Sequence, residues 1–190
     1  LPSTTLEPPY RHKIGKFLHK RGGPTAKRLF VVNFSLPSRE VLQLFDPETR
    51  ALFAPPWTPE WTPELSAVQM AIAPWRVLHK KGGPVDDTTY IVEERDREHR
   101  MVLKPLTGED SRLVGLVGMI LDPEYFHSVV LPEAVDGALP EFRDQEKLQV
   151  SVRGGNGEWV LGEGAWESSA EDALPIHRHL AFVFTDYEVF

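Results

Sequence analysis

Short segments of β-branched and aromatic residues predict three strands in the first third of the chain. They cover residues 29–34, 41–45 and 51–53, and residues with turn preferences separate them at 37–38 and 46–49. Because short connections join antiparallel neighbours, the pattern predicts a small antiparallel meander.

A helical period replaces the strand pattern after the meander. Apolar side chains recur on one face at spacings of three and four residues, namely Leu65, Val68, Ile72, Trp75 and Leu78. Thr62 is expected to be the N-cap, with Pro63 as the first helical residue. Pro74 should kink this helix because it lacks an amide hydrogen, and Gly82 and Gly83 should end it.

Strands return in the middle of the chain. Residues 89–92 and 100–103 flank a charged run and predict a hairpin whose tip is solvated. Residues 113–121 are apolar on both faces and predict a central strand. A helix should follow this strand, reach Val135 and kink at Pro132.

The C-terminal part predicts a further hairpin and a last strand. Apolar and polar residues alternate along 148–153, and Asn156-Gly157 offers a tight turn into a strand at 159–161. The last strand is expected at 180–184, and its continuation to Phe190 is left open. Mostly antiparallel strands with helices inserted between them predict an α+β domain built on one sheet.

Composition limits the classes to which the protein can belong. With 190 residues, 41% of them hydrophobic and 26% charged, the chain is expected to fold around a sizeable core. The net charge of −7 provides no basic field for a phosphate backbone, so nucleic acid is not an expected partner. The longest apolar run, at 113–121, is about half the roughly twenty residues that a membrane-spanning helix needs.

Several kinds of reactive site are missing from the sequence. The absence of cysteine excludes disulfides and thiolate nucleophiles, and there is no Gly-x-Ser-x-Gly elbow or phosphate-binding glycine loop. His177 and His179 share a strand face, but a metal needs three or four converging ligands, so no metal or other cofactor is predicted. Because the sequence starts at Leu1 rather than Met, we expect it to be a piece of a longer protein.

One group of residues has the chemistry of a ligand site. Trp75, Arg76 and His79 lie at the end of the long helix, and Tyr90 and Arg100 belong to the hairpin that follows. Arginines beside aromatic rings can hold a small carboxylate through a bidentate fork and an apolar wall. These five residues form the predicted ligand-binding site, with a small organic acid as the expected ligand. The alternative is that Trp75 packs in the core and Arg76 forms a surface ion pair.

Three motifs resemble the input domains of bacterial membrane-bound sensor histidine kinases. In the segment 113–132, the sequence Val-Gly-Met-Ile-Leu-Asp-Pro-Glu-Tyr-Phe runs from Val117 to Phe126 and leads a glycine-rich apolar strand into a helix. Residues 148–163 are similar to the strand, Asn-Gly turn and strand of Cache and PAS-like extracytoplasmic sensors. The ending Phe-Val-Phe-Thr-Asp-Tyr at 182–187 is similar to the strand that leads back towards a second membrane helix.

The resemblance implies a PAS/Cache-like α+β fold, in which a mostly antiparallel sheet of about five strands carries flanking helices. It implies a long helix on one side of the sheet and a small-molecule pocket over the other face. An N-terminal extended segment and helix would occupy residues 1–27, and a single sensor domain would occupy residues 28–190.

The same resemblance implies a function in signalling. The chain would be the extracytoplasmic signal-sensing domain of a two-component sensor histidine kinase, with no catalytic activity of its own. Its membrane-anchored parent would hold it on the periplasmic or extracellular face of the bacterial inner membrane, with a homodimer as one expected assembly.

Two other classes of function stay open at this point. A protein–protein interaction or dimerisation module would use Trp57 and Trp61, which are expected to be exposed. A hydrolase-type enzyme would need an acid–base site around His177 and His179.

Overall fold

The computed structural model describes residues 26–35, 41–46, 48–56, 58–138, 150–162, 178–181 and 183–190. The chain divides into two compact units, Leu1–Asp122 and Pro123–Phe190. The predicted N-terminal helix lies outside the described residues, and the assignment of residues 28–190 to a single sensor domain stays a prediction.

The described part of the first unit contains one six-stranded antiparallel sheet with the strand order β3-β2-β1-β6-β5-β4. The strands are β1 (Ala26–Asn33), β2 (Val41–Asp46), β3 (Ala51–Phe53), β4 (Ile91–Glu93), β5 (Met101–Thr107) and β6 (Leu113–Leu121). The predicted α+β class, the N-terminal meander, the hairpin and the central strand are confirmed. The sheet has one strand more than expected, and its architecture is compatible with a PAS/Cache-like fold.

The two central strands of this sheet are far apart in sequence. Phe30 on β1 lies opposite Gly118 on β6, and Gly118 in turn lies opposite Leu103 on β5. A Cβ atom at position 118 would overlap Cζ of the Phe30 ring, which is fully buried. Gly118 therefore leaves the space that the aromatic ring occupies.

The long helix α1 (Thr62–Lys81) packs against the sheet through its apolar face. Its N-cap is Trp61, not Thr62 as predicted. The Thr62 hydroxyl donates a hydrogen bond of 2.7 Å to the carbonyl of Thr58, so it does not cap the helix. The predicted end is confirmed, because Gly82 has φ of 67° and its amide bonds back to the carbonyls of Leu78 and His79.

Apolar side chains are buried on both faces of the sheet, since successive residues of a strand point to opposite sides. On the α1 side they form the helix-side core, which includes Phe30, Val32, Val68, Ile72, Met101 and Leu116. On the opposite side Val31, Leu106 and Val117 form the second-face cluster, with half-buried Leu52, Tyr90 and Val114 packed against it.

The second unit begins with an irregular helical segment. It consists of α2 (Pro123–Tyr125), a π-helical turn (Phe126–Val130) and α3 (Leu131–Ala138). The predicted helix is therefore present and extends beyond Val135. The π-helical turn ends two residues before Pro132, which has no amide hydrogen to continue a regular helix.

A separate four-stranded antiparallel sheet completes the described part of the second unit, so the expectation of a domain built on one sheet is wrong. Its strands are β7 (Val152–Arg153), β8 (Trp159–Leu161), β9 (Arg178–His179) and β10 (Glu188–Val189), in the order β8-β7-β10-β9. The β7–β8 hairpin was predicted, and Gly157 in its turn has φ of 85°.

The prediction of a last strand at 180–184 is wrong, whereas β10 lies within the stretch to Phe190 into which that strand could continue. The chain instead reverses between β9 and β10, where the amide of Tyr187 donates to the carbonyl of Phe184 at 2.9 Å. Phe184 has φ of 56°, outside the extended region that a strand requires, and its side chain is buried. Alternating apolar residues here mark a buried turn rather than a strand.

Among the described residues, no helix combines the length and the apolar character that crossing a membrane requires.

We expect Gly118→Ala to lower the free energy of unfolding by about 2 kcal/mol, as in other overpacked cores. The added methyl group would meet the Phe30 ring and, at 2.8 Å, the side chain of Leu103. Urea denaturation followed by circular dichroism measures the loss. Gly83→Ala is the matched control because open space surrounds that position, and equal losses in both variants would contradict this role of Gly118.

Candidate functional site

The three predicted site residues on α1 make contacts within the first unit. Trp75 is half-buried and packs against the helix-side core. The Arg76 guanidinium donates a hydrogen bond to the side-chain oxygen of Gln69, two turns earlier on the same helix. This partner is a neutral amide, and an ion pair of Arg76, the alternative considered above, stays a prediction.

His79 joins the end of α1 to the sheet. Its Nδ1 atom is 2.8 Å from the carbonyl oxygen of Leu113 on β6, and its ring stacks on Phe34 with centroids 5.4 Å apart. Because a carbonyl oxygen only accepts, Nδ1 carries the hydrogen in this contact. The geometry gives His79 a positioning role at the helix end.

The two predicted site residues on the following hairpin have different surroundings. Tyr90 packs against the second-face cluster, and Nζ of Lys104 lies 4.8 Å from the centre of its ring. Arg100 is buried, donates to the carbonyl of Arg97 at 2.9 Å and places its Nε 3.4 Å from a carboxylate oxygen of Glu94.

The structure does not gather the five predicted residues into one cluster. Trp75 packs on the α1 side of the sheet, whereas Tyr90 packs on the opposite side. Arg76 and Arg100 each bond to partners within their own element or loop. A ligand that used both arginines would have to displace those partners, and binding by this set stays a prediction.

The charged loop between β4 and β5 is exposed at Arg95, Arg97 and Glu98, as expected of a solvated tip, and some of its charges are paired. Arg95 binds Glu93 through two nitrogens at 2.7 Å, a bidentate pair, and His99 is buried with its Nδ1 3.0 Å from a carboxylate oxygen of Asp96. Burial would raise the pKa of Asp96, but hydrogen bonds from His99 and from backbone amides lower it below its usual value. Some of the alternating charges are thus paired with each other.

Arg95 also reaches the middle of α1, a contact that sequence reasoning missed. Its Nη2 donates at 3.0 Å to the carbonyl oxygen of Met70. This oxygen lies four residues before Pro74, which has no amide hydrogen to offer it, although α1 continues through the proline. A proline inside a helix leaves the carbonyl four residues earlier without its usual amide donor. Pro74 was therefore the sequence signal for this contact.

A second missed cluster holds the start of α1. The buried Glu64 carboxylate lies 2.8 Å from Nζ of Lys27 and 3.4 Å from Nε of Arg28, both at the beginning of β1. The Arg28 guanidinium also lies 4.5 Å from the ring centre of Trp61. Trp61 is half-buried against the helix-side core, so the expectation that it is exposed is wrong, and Trp57 lies outside the described residues.

The second unit contains an aromatic cluster around His127. Phe126 stacks on Phe184 with ring centres 4.0 Å apart, and Nε2 of His127 lies 2.8 Å from the hydroxyl oxygen of Tyr187. The sequence signal for this cluster was weak because the residues come from opposite ends of the unit. Their burial around Phe184 indicates a packing role.

The predicted histidine pair is only partly within the described residues. His179 is exposed on β9 and lies opposite Glu188 on β10, while His177 lies outside the described part. Nε of Arg153 donates a hydrogen bond of 3.0 Å to a carboxylate oxygen of Glu188. In the described ranges no three histidine or acidic side chains converge as metal ligands, and an acid–base site at the two histidines stays a prediction.

No protein-family model matches this chain, and no curated protein matches it significantly in sequence.

We expect the Arg95 contact to be energetically coupled to Pro74. Replacing Pro74 by alanine restores an amide that can bond to the Met70 carbonyl, so Arg95→Gln should cost about 0.5 kcal/mol less in that background than in the natural chain. A double-mutant cycle by urea denaturation measures the coupling. Arg97→Gln in the same two backgrounds is the control, and equal coupling for both arginines would contradict the assignment.

The pKa of Glu93 provides a test of the loop through pH. Hydrogen bonding from Arg95 lowers this pKa below its usual value, against the opposing effect of burial. Such a carboxylate adds stability above its unfolded-state pKa and loses it as the pH falls through the folded-state pKa.

Glu93→Gln should therefore lower the free energy of unfolding by about 0.5 kcal/mol at neutral pH and have little effect in strong acid. Denaturation of both proteins across this pH range measures the difference. Glu98→Gln, in the same loop, changes the net charge by the same amount and is the control. A loss that stayed constant with pH would show that the charge of Glu93 is not its cause.

Proposed function

We propose that this chain is the extracytoplasmic signal-sensing domain of a bacterial two-component sensor histidine kinase, without catalytic activity of its own. The observation that carries the proposal is the antiparallel sheet of the first unit with α1 packed along one face, an architecture compatible with a PAS/Cache-like sensor. The motif resemblance at residues 113–132 and 148–163 supports the same class. A periplasmic or extracellular location belongs to this proposal.

Sensing requires two arrangements of the domain that a ligand or partner binds with different affinity. The contacts of α1 suit such a shift because polar groups hold the helix at its start, middle and end. The middle contact, between Arg95 and the Met70 carbonyl, lies on the protein surface and is a single hydrogen bond. A ligand that moved the β4–β5 loop would weaken or break this hydrogen bond.

A small organic acid is the ligand class that we propose, with Arg76 as its first point of attachment. Arg76 is half-buried and donates to the Gln69 side chain, and a guanidinium binds a carboxylate more strongly than it binds a neutral amide oxygen. Arg100 is buried and already lies near the carboxylate of Glu94, so recruiting it would require a larger change.

A thermal-shift screen of this chain against organic acids, amino acids, sugars and divalent cations tests the proposal. A compound that binds only the folded state stabilises it by about 2.7 kcal/mol at a concentration one hundred times its Kd, which raises Tm by several degrees. We expect this rise with a carboxylate and a smaller rise in Arg76→Gln. Arg97→Gln is the matched control.

The outcomes separate the parts of the proposal. A rise with a carboxylate that Arg76→Gln leaves unchanged would remove Arg76 from the site but keep the sensing function. A well-folded protein whose Tm no compound raises would contradict ligand sensing and favour an interaction module.

A further inference from the structure

The outward face of α1 carries a seam of uncharged residues, formed by the small Ser66 and the apolar Met70, Ala73 and Val77. All four side chains are exposed, and Met70 and Val77, at 45% and 54% exposure, are unusually open for large apolar residues. Their spacing of four, three and four residues places them in one line along the helix, as in the contact seam of a coiled coil.

The helix itself contributes no exposed charge to this face, although Arg95 of the β4–β5 loop, paired with Glu93, reaches its edge at the Met70 carbonyl. Between Thr62 and Val77 the exposed side chains of α1 are all uncharged, because Glu64 is buried against β1 and Arg76 bonds to Gln69. A helix that faces only water normally exposes charged residues opposite its core-facing side. The seam thus has the composition of a contact surface.

We propose that the seam pairs with the same seam on a second copy of this chain, in an antiparallel arrangement about a twofold axis. If the axis passes between positions 71 and 72, Met70 faces Ala73 of the second copy and Ser66 faces Val77. A large side chain then meets a small one at every level, which is the condition for close packing of two helices. A parallel pair would instead place Met70 against Met70 and Val77 against Val77.

The charged residues near the two ends of α1 also favour the antiparallel arrangement. Lys80 and Lys81 are exposed at the C-terminal end of α1, and Glu60 is exposed just before its N-terminal end. The antiparallel pair brings these lysines towards Glu60 of the second copy and aligns the helix dipoles favourably. A parallel pair would place the lysines of both copies beside each other.

The expected affinity follows from the size of the contact. A helix of this length spans about 30 Å, and one helix face buries less than the roughly 800 Å² per partner of a stable interface. The dimer should therefore be weak, with a Kd in the micromolar range or above. This inference is independent of the ligand and of the sensing function.

Cysteine cross-linking tests the pairing without background, because the chain contains no cysteine. We expect a disulfide between Ser66→Cys and Val77→Cys when the two single variants are mixed and oxidised, with one variant tagged so that the mixed product can be recognised. Neither variant should cross-link to itself, because the two like positions would be about 16 Å apart along the axis, too far for a disulfide.

Other cross-linking patterns would overturn the proposal. Cross-linking of each variant to itself would show a parallel pair, and the absence of any product would show that this face is not a contact between copies. Because both positions are exposed, circular dichroism of each variant suffices to verify that the fold is intact.

Sedimentation equilibrium of the chain from about 10 μM to about 1 mM provides the second measurement. Val77→Glu should raise the dimer Kd at least about tenfold, because it buries a charge in the seam. Thr88→Glu, exposed in the loop after α1, is the matched control and should leave the Kd unchanged. A chain that is monomeric at every concentration, or a Kd that Val77→Glu leaves unchanged, would overturn the proposal.

Discussion

The pairing of β1 with β6 is the constraint on which the first unit depends. It joins segments more than eighty residues apart and places the Phe30 ring over Gly118, at the centre of the six-stranded sheet. Closing so long a loop has an entropic cost, which the burial of apolar side chains on both faces of these strands offsets. The N-terminal meander and the β4–β5 hairpin then extend the sheet to either side of this pair.

The position of α1 follows from that sheet. Its apolar face packs on the helix-side core, and polar contacts hold it at three points: Glu64 with the basic start of β1, the Met70 carbonyl with Arg95, and His79 with the Leu113 carbonyl. Apolar burial supplies most of the stability, while these contacts fix how the helix is placed along the strands. Its outward face remains exposed, and that face carries the proposed seam.

The sequence predicted correctly which candidate ligand-site residues are neighbours on α1, but not where Tyr90 lies. Trp75, Arg76 and His79 lie together on α1 as predicted, because three- and four-residue spacings determine neighbours on a helix. Tyr90 was grouped with them through sequence proximity, yet it lies on the opposite side of the sheet from Trp75. The face on which a strand residue lies depends on register, and a shift of one residue reverses it.

Local patterns in the sequence determined the strands of the meander, the central strand, the end of α1 at Gly82 and the β7–β8 hairpin. These features depend on side-chain periodicity and turn chemistry within a few residues. Only the tertiary structure decided that Gly118 accommodates Phe30, that Arg95 supplies the donor that Pro74 lacks, and that Phe184 forms a buried turn rather than a strand. Each of these depends on which distant segments pack together, because their partners come from elsewhere in the chain and no local pattern encodes them.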